Sequence, residues 1–99
     1  MSKNIPRKTV KLNQAGIQSI PNYRPVKYQI ETQSGNVNYV GTAKRGRAAS
    51  RIAEHLPNQK DAVPGSRVRI EEFRSIAEAQ RAESRSIRQL QPKYNKKGK

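Results

Sequence analysis

The stretch "VKYQIETQSGNVNYVGTA" (residues 26–43) decides the fold. In its first part Val26, Tyr28 and Ile30 alternate with Lys27, Gln29 and Glu31, the period of two that gives a strand one apolar face. Ser34, Gly35 and Asn36 supply turn chemistry, and "VNYVG" from Val37 to Gly41 reads as a second strand of the same kind. The pair makes a β-hairpin. It brings Tyr28 and Tyr39, two of the chain's four tyrosines, near each other across the strands. Lys27 points to the face opposite Tyr28, and the pattern assigns it no role.

Downstream, "AASRIAEHL" (residues 48–56) has helical spacing and is stopped by Pro57. Ala48, Ala49, Ile52 and Leu56 give it a buried stripe, and Arg51 and His55, at i and i+4, share an adjoining one. Residues 57–66 are a loop, and "RVRIEEF" (residues 67–73) is a third strand with Val68 and Ile70 on one face. Ser75 with Glu78 forms a capping box that opens a last helix, which runs to Gln91 and is closed by Pro92. Its apolar residues Ile76, Ala79, Ile87 and Leu90 form a stripe, and Glu83 lies in the middle of that stripe. A carboxylate facing a core is costly when unpaired. Glu83 therefore either pairs with an inward Arg or faces a cleft and holds a cation. The expected architecture is an α+β fold of the broad α/β class: a small three-stranded antiparallel sheet flanked by helices.

The chain has 99 residues with no Cys, no Trp and one Phe, so it supports one domain with a thin core and no disulfide or thiolate metal site. Residues 1–25 show no sustained period and are punctuated by Pro6, Pro21 and Pro25. They read as a basic, largely extended or disordered arm, with at most a short ordered piece near "AGIQSI" (residues 15–20). The domain proper spans residues 26–96, and residues 97–99 are a basic tail. No apolar run reaches the length of a membrane span or a signal-peptide core, which predicts a cytoplasmic, unexported protein associated with DNA in the nucleoid or host cytoplasm.

There are 21 Lys and Arg against 7 Asp and Glu, a formal charge of +14. Such a balance attracts polyanions, above all nucleic acid. Residues 1–27 hold Lys3, Arg7, Lys8, Lys11, Arg24 and Lys27 and no acid, and the segment from Lys93 holds Lys93, Lys96, Lys97 and Lys99. The flanks therefore read as phosphate-gripping arms around a nearly ordinary domain.

One His and no Cys exclude a zinc site of the usual kind, and His55 has no evident buried acid to orient it for Ser/His/Asp catalysis. One carboxylate is enough for Mg²⁺, which keeps most of its waters and takes other ligands from substrate phosphate. An Arg beside it would stabilise charge on a phosphate, and a Tyr or His could relay a proton. That set suits phosphodiester hydrolysis. Each part also has a plainer reading: strand tyrosines as packing, Arg51 and His55 as a solvated face.

In order and spacing the pieces resemble the GIY-YIG nuclease domain. Tyr39, Val40 and Gly41 match its Y-[IV]-G. The first half-motif is degraded, since "VKY" stands for G-[IV]-Y and only Tyr28 is kept, with Val26 in place of Gly. Arg51 and His55 match the helical R-x-x-x-H, displaced by extra loop in "TAKRGRA". "AQRAESRSIRQLQPKYN" carries A-x-x-x-E-x-x-x-I-x-x-x-x-P-x-x-N on Ala79, Glu83, Ile87, Pro92 and Asn95. The resemblance implies a metal-dependent DNA endonuclease with Glu83 as sole protein ligand of a Mg²⁺ or Mn²⁺ ion. It implies further that Arg51 contacts the scissile phosphate, that Tyr28 and Tyr39 line the cleft and position or deprotonate the attacking water, that His55 assists and that Asn95 ties the last loop to the site.

The basic residues flanking these motifs, Lys44, Arg45, Arg47, Lys93, Lys96 and Lys97, are the expected nucleic-acid contacts. DNA, branched or nicked, is the expected partner, with a homodimer or a partner protein supplying specificity. Two other readings compete: an inactive module of this fold that binds DNA or RNA, and a small structural protein of a nucleoprotein assembly.

Overall fold

A computed structural model describes residues 7–20, 23–57 and 59–95. The elements run β1 (Arg7–Lys11), α1 (Gln14–Gln18), β2 (Val26–Glu31), β3 (Val37–Ala43), α2 (Ala48–Ala53), β4 (Arg67–Glu72) and α3 (Ile76–Leu90), with a 3-10 turn at Lys93–Asn95. The fold is α+β. Four antiparallel strands lie in the order β1-β4-β2-β3, so the hairpin β2-β3 occupies one side and β3 is an edge. Among the described residues no helix is long and apolar enough to cross a membrane.

The alternation read from the hairpin sets the two faces of this sheet. Val26, Tyr28 and Ile30 of β2, Val68 and Ile70 of β4 and Val10 of β1 share one apolar face. Against it pack Ile17 and Ile20 from α1 and its exit, Ala48 and Ile52 of α2, and Val63 of the following loop. The second face is polar along β1, β4 and β2, and α3 covers it over β2 and β3, where Val40 and Ala79 are fully buried, leaving β1 and β4 uncovered.

The N-terminal segment departs from the sequence reading. Residues 7–20 are not a loose arm: β1 pairs along its whole length with β4, from Arg7 opposite Glu71 to Lys11 opposite Arg67, and makes the sheet four-stranded rather than three-stranded. Only Val10 of β1 is buried, so a strand with one inward residue shows no period of two. Asn13 caps α1 by accepting from the Gly16 N–H at 2.7 Å, and a side chain at Gly16 would strike the Lys11 carbonyl. The phosphate-gripping role of these residues is also narrowed. Arg7 and Lys27 both pair with Glu71 (3.3 and 3.2 Å), and Arg24 approaches Glu72. Lys96, Lys97 and the basic tail lie outside the described residues.

At the other end, α3 begins at Ser75, whose hydroxyl accepts from the Glu78 N–H at 3.2 Å. The reciprocal bond goes one residue further back than a capping box requires, with the Glu78 carboxylate accepting from the Arg74 N–H. Gln91 ends the helix in the left-handed region (φ 46°), and Pro92 follows. Leu90 is 47% exposed, so the apolar stripe of α3 ends a turn earlier than its spacing suggests.

Because α1 and β1 close the core, Ile17→Ala should destabilise the protein by about 2–4 kcal/mol, as a buried Ile truncation does. Urea unfolding followed by circular dichroism measures this. A loss under about 0.5 kcal/mol, the range of surface substitutions, would mean the segment is not part of the core.

Candidate active site

Tyr28 and Tyr39 meet diagonally across the hairpin, because Tyr28 stands opposite Gly41 and Tyr39 opposite Ile30. Their ring centroids are 6.1 Å apart. The glycine of the Tyr39-Val40-Gly41 motif has a steric reason. A Cβ at Gly41 would lie 2.6 Å from both Cζ and the hydroxyl oxygen of Tyr28, and 2.9 Å from the Tyr39 ring. With no side chain there, the Tyr28 ring crosses β3 and its hydroxyl reaches Nε2 of His55 at 3.1 Å.

His55 follows α2 and is only 6% exposed, with both ring nitrogens engaged. Nδ1 lies 2.9 Å from the Asp61 carbonyl oxygen, which can only accept, so Nδ1 carries the hydrogen. In the neutral ring Nε2 is then the acceptor and the Tyr28 hydroxyl the donor. The loop that supplies Asp61 is held by Val63, whose N–H donates to the His55 carbonyl at 3.1 Å. The imidazole also packs on Tyr39, with centroids 4.6 Å apart. Sequence reasoning gave His55 no orienting partner, because the partner is a backbone carbonyl and leaves no trace in residue type.

Tyr39, not Tyr28, opens onto the cleft. Tyr28 is 1% exposed and lies behind Tyr39 and His55, which corrects the expectation that both tyrosines line the cleft. The cleft lies along the β3 edge between α2 and α3. Tyr39, Arg51, His55, Glu83, Tyr94 and Asn95 line it, together with Glu54 and Asp61. Arg51 also borders a second, basic groove lined by Lys44, Arg47 and Thr42, so the cleft continues toward the loop "KRGR". Lys44, Arg45, Arg47 and Lys93 are all exposed.

Asn95 fixes the far wall. Its side chain takes the place of a neighbouring strand on β3: Oδ1 accepts from the Val40 N–H at 2.7 Å, and Nδ2 donates to the Val40 carbonyl at 2.9 Å. This satisfies part of an edge that would otherwise be open.

The charges of the site are set mainly by burial. The Tyr28 phenol is pushed far above its ordinary range by desolvation and by Tyr39, against the pull of Arg51. Tyr39 is raised by burial and by Glu83, with Arg51 and the Tyr28 hydroxyl opposing. Glu83 is half-buried, and desolvation raises it, while Arg51 and the Thr42 hydroxyl hold it down. Of the two alternatives that its place on α3 raised, the structure shows the cleft-facing position and not the ion pair. Glu83 faces the cleft and has an Arg in electrostatic reach, with no ion pair to that Arg within 4.0 Å among the described contacts.

Glu83 forms no group of three or more His, Cys, Asp or Glu able to hold a metal ion among the described residues. A single half-buried carboxylate at the wall of an open cleft still fits Mg²⁺, which binds through one or two carboxylates and keeps its waters. Compared with known proteins, the chain matches no family model and no curated protein.

The raised Glu83 gives a signed pH dependence. A carboxyl that is raised on folding adds stability while protonated and loses it as pH rises through its folded value. Glu83→Gln should therefore melt above wild type near neutral pH, and the two should converge below about pH 4.3, the ordinary Glu value. Melting curves across that range test it, and a Gln variant that is less stable at neutral pH would contradict it.

Proposed function

We propose that the protein is a metal-dependent endonuclease of the GIY-YIG kind, hydrolysing phosphodiester bonds of DNA in the cleft between α2 and α3. The observation that carries this reading is the convergence of Tyr39, Arg51, His55, Glu83 and Asn95 on one cleft, from four separate parts of the chain. A binding protein has no need of a desolvated carboxylate at that point. The acidic lining otherwise works against a polyanion, so Glu83 makes sense with a cation between it and the phosphate.

Glu83 would hold a Mg²⁺ or Mn²⁺ ion, which supplies positive charge against a phosphate oxygen. Arg51, exposed and standing where the cleft meets the basic groove, would bind the same phosphate and stabilise charge that builds up on it. Lys44 and Arg47 would carry the backbone onward from Arg51, with Arg45 and Lys93 at the margins.

Tyr39 is the phenol that faces water. Its raised affinity for the proton means that it works as a relay rather than as a standing phenolate. As water attacks phosphorus and the bond to the leaving oxygen breaks, the water's proton passes to a phenol oxygen that hands on its own. The chain ends at Nε2 of His55, which the Asp61 carbonyl keeps free to accept. Tyr28 is the link in that chain that never meets solvent.

Val26 occupies the position where the family has Gly, and its fully buried side chain belongs to the apolar core between Ala43 and Glu72. It stays out of the cleft, so the degraded half-motif does not displace the residues that line it. The reading places the protein in the cytoplasm with DNA as its substrate.

Supercoiled plasmid incubated with Mg²⁺, Mn²⁺ or EDTA tests this. Wild type should convert it to open circles only with metal, Glu83→Ala should not, and Tyr39→Phe should be slower by about 10²–10⁴-fold, the usual worth of general acid–base catalysis. Equal DNA binding by all three with no cleavage by any would make the protein an inactive binding module.

A further inference from the structure

The face of the sheet opposite the core has a pattern that the cleft does not use. Register places nine residues in three rows across β1, β4 and β2: Lys11, Arg67 and Glu31; Thr9, Arg69 and Gln29; Arg7, Glu71 and Lys27. None is apolar. Five are basic and two acidic, a net charge of +3. Lys11 and Arg67 stand directly opposite each other, an arrangement that destabilises a sheet unless something offsets it.

Beneath these side chains lies a built polar floor. Glu31 is 3% exposed, and its carboxylate accepts from Gln29 Nε2 at 3.1 Å and Arg67 Nε at 2.9 Å, with Arg69 Nε at 3.6 Å. The carboxylate engages each guanidinium through Nε. The terminal N–H groups, the fork that recognises phosphate in pairs, are not used by it. The two arginine side chains are 39% and 49% exposed, so they are fixed at one end and open at the other. Lys27 differs: it is buried, and its Nζ is taken up by Glu71 at 3.2 Å and by Ser86 of α3 at 2.9 Å, so it belongs to the floor and not to the open cations.

We propose that this strip of β1 and β4, centred on Arg67, Arg69 and Lys11, binds the phosphate backbone of a second nucleic-acid segment. A protein partner would need apolar area at the centre of its footprint, and this face has none. A polyanion needs only ordered cations. Since α3 stands between the strip and the cleft, one straight duplex does not occupy both, and the natural ligand is a branched nucleic acid or two duplexes. The branched-substrate part rests on the nuclease reading, and the binding strip itself does not.

The test is a titration of the ¹⁵N-labelled full chain with a 12-base-pair duplex in EDTA, where nothing is cut. The inference predicts amide shifts in residues 7–11 and 67–72. Shifts confined to residues 39–55 and 83–95, or none at all, would overturn it. Shifts on the strip alone would support it while removing the cleft from DNA binding, so the two readings fail separately. Shifts there with a poly-aspartate peptide but not with the duplex would assign the strip to acidic protein and overturn it also. Lys11→Gln with Arg69→Gln should lower the salt dependence of duplex binding by about two in log–log slope. If that variant does not fold, Thr9→Glu, an exposed change, should weaken binding instead. An unchanged slope in a folded variant would count against the strip.

Discussion

The Tyr28 ring lying over Gly41 is the contact on which the rest of the site depends. It requires β2 and β3 in one register, a glycine at one position, and His55 at the end of α2 within reach of the hydroxyl. Because the hydroxyl is buried, it needs a partner, and Nε2 of His55 is that partner. The imidazole can accept only while its other nitrogen gives a hydrogen to Asp61, so the loop after α2 is tied to the hairpin by a chain of two hydrogen bonds. One aromatic ring thus links strand, helix and loop, and orients Tyr39 by packing beside it.

The second organising feature is the exposed edge of β3. Sheets usually protect such an edge, and here Asn95 does so at Val40 with both functions of one amide. The same bond pair draws the Lys93–Asn95 turn across the edge and brings α3 with it, which sets Glu83 in the same cleft as Arg51. Burial that stabilises an apolar residue works against Glu83, and its raised pKa is the trace of that conflict. On the proposed function, stability is given up at this position for a group with chemical use, a familiar pattern at functional sites.

Much of this was legible in the sequence where local pattern and tertiary role agree. The alternation of Val26, Tyr28 and Ile30, the turn at Gly35, and the Ser75 cap each report a local geometry, and each element formed where its pattern lies. Glu83 stood out because it broke a pattern. β1 was not legible, since four of its five residues are exposed and its existence depends on β4, some sixty residues away. The depth of Tyr28 was hidden for a related reason. Alternation says which face a residue takes but not whether that face is open at that point. The pattern of β4 assigned a face to Val68 and Ile70 alone, and only the register of β2 against β4 sets Glu31 beside Arg67 and Arg69.

On the proposed function, the cleft beside Tyr39 gathers its chemistry around the Glu83 carboxylate. Paramagnetic Mn²⁺ added to ¹⁵N-labelled protein tests it without any substrate. Amides around residues 39–42, 51 and 83 should broaden selectively in wild type and stay sharp in Glu83→Gln. Broadening that persists in Glu83→Gln, or that centres on Glu54 and Asp61 instead, would contradict it.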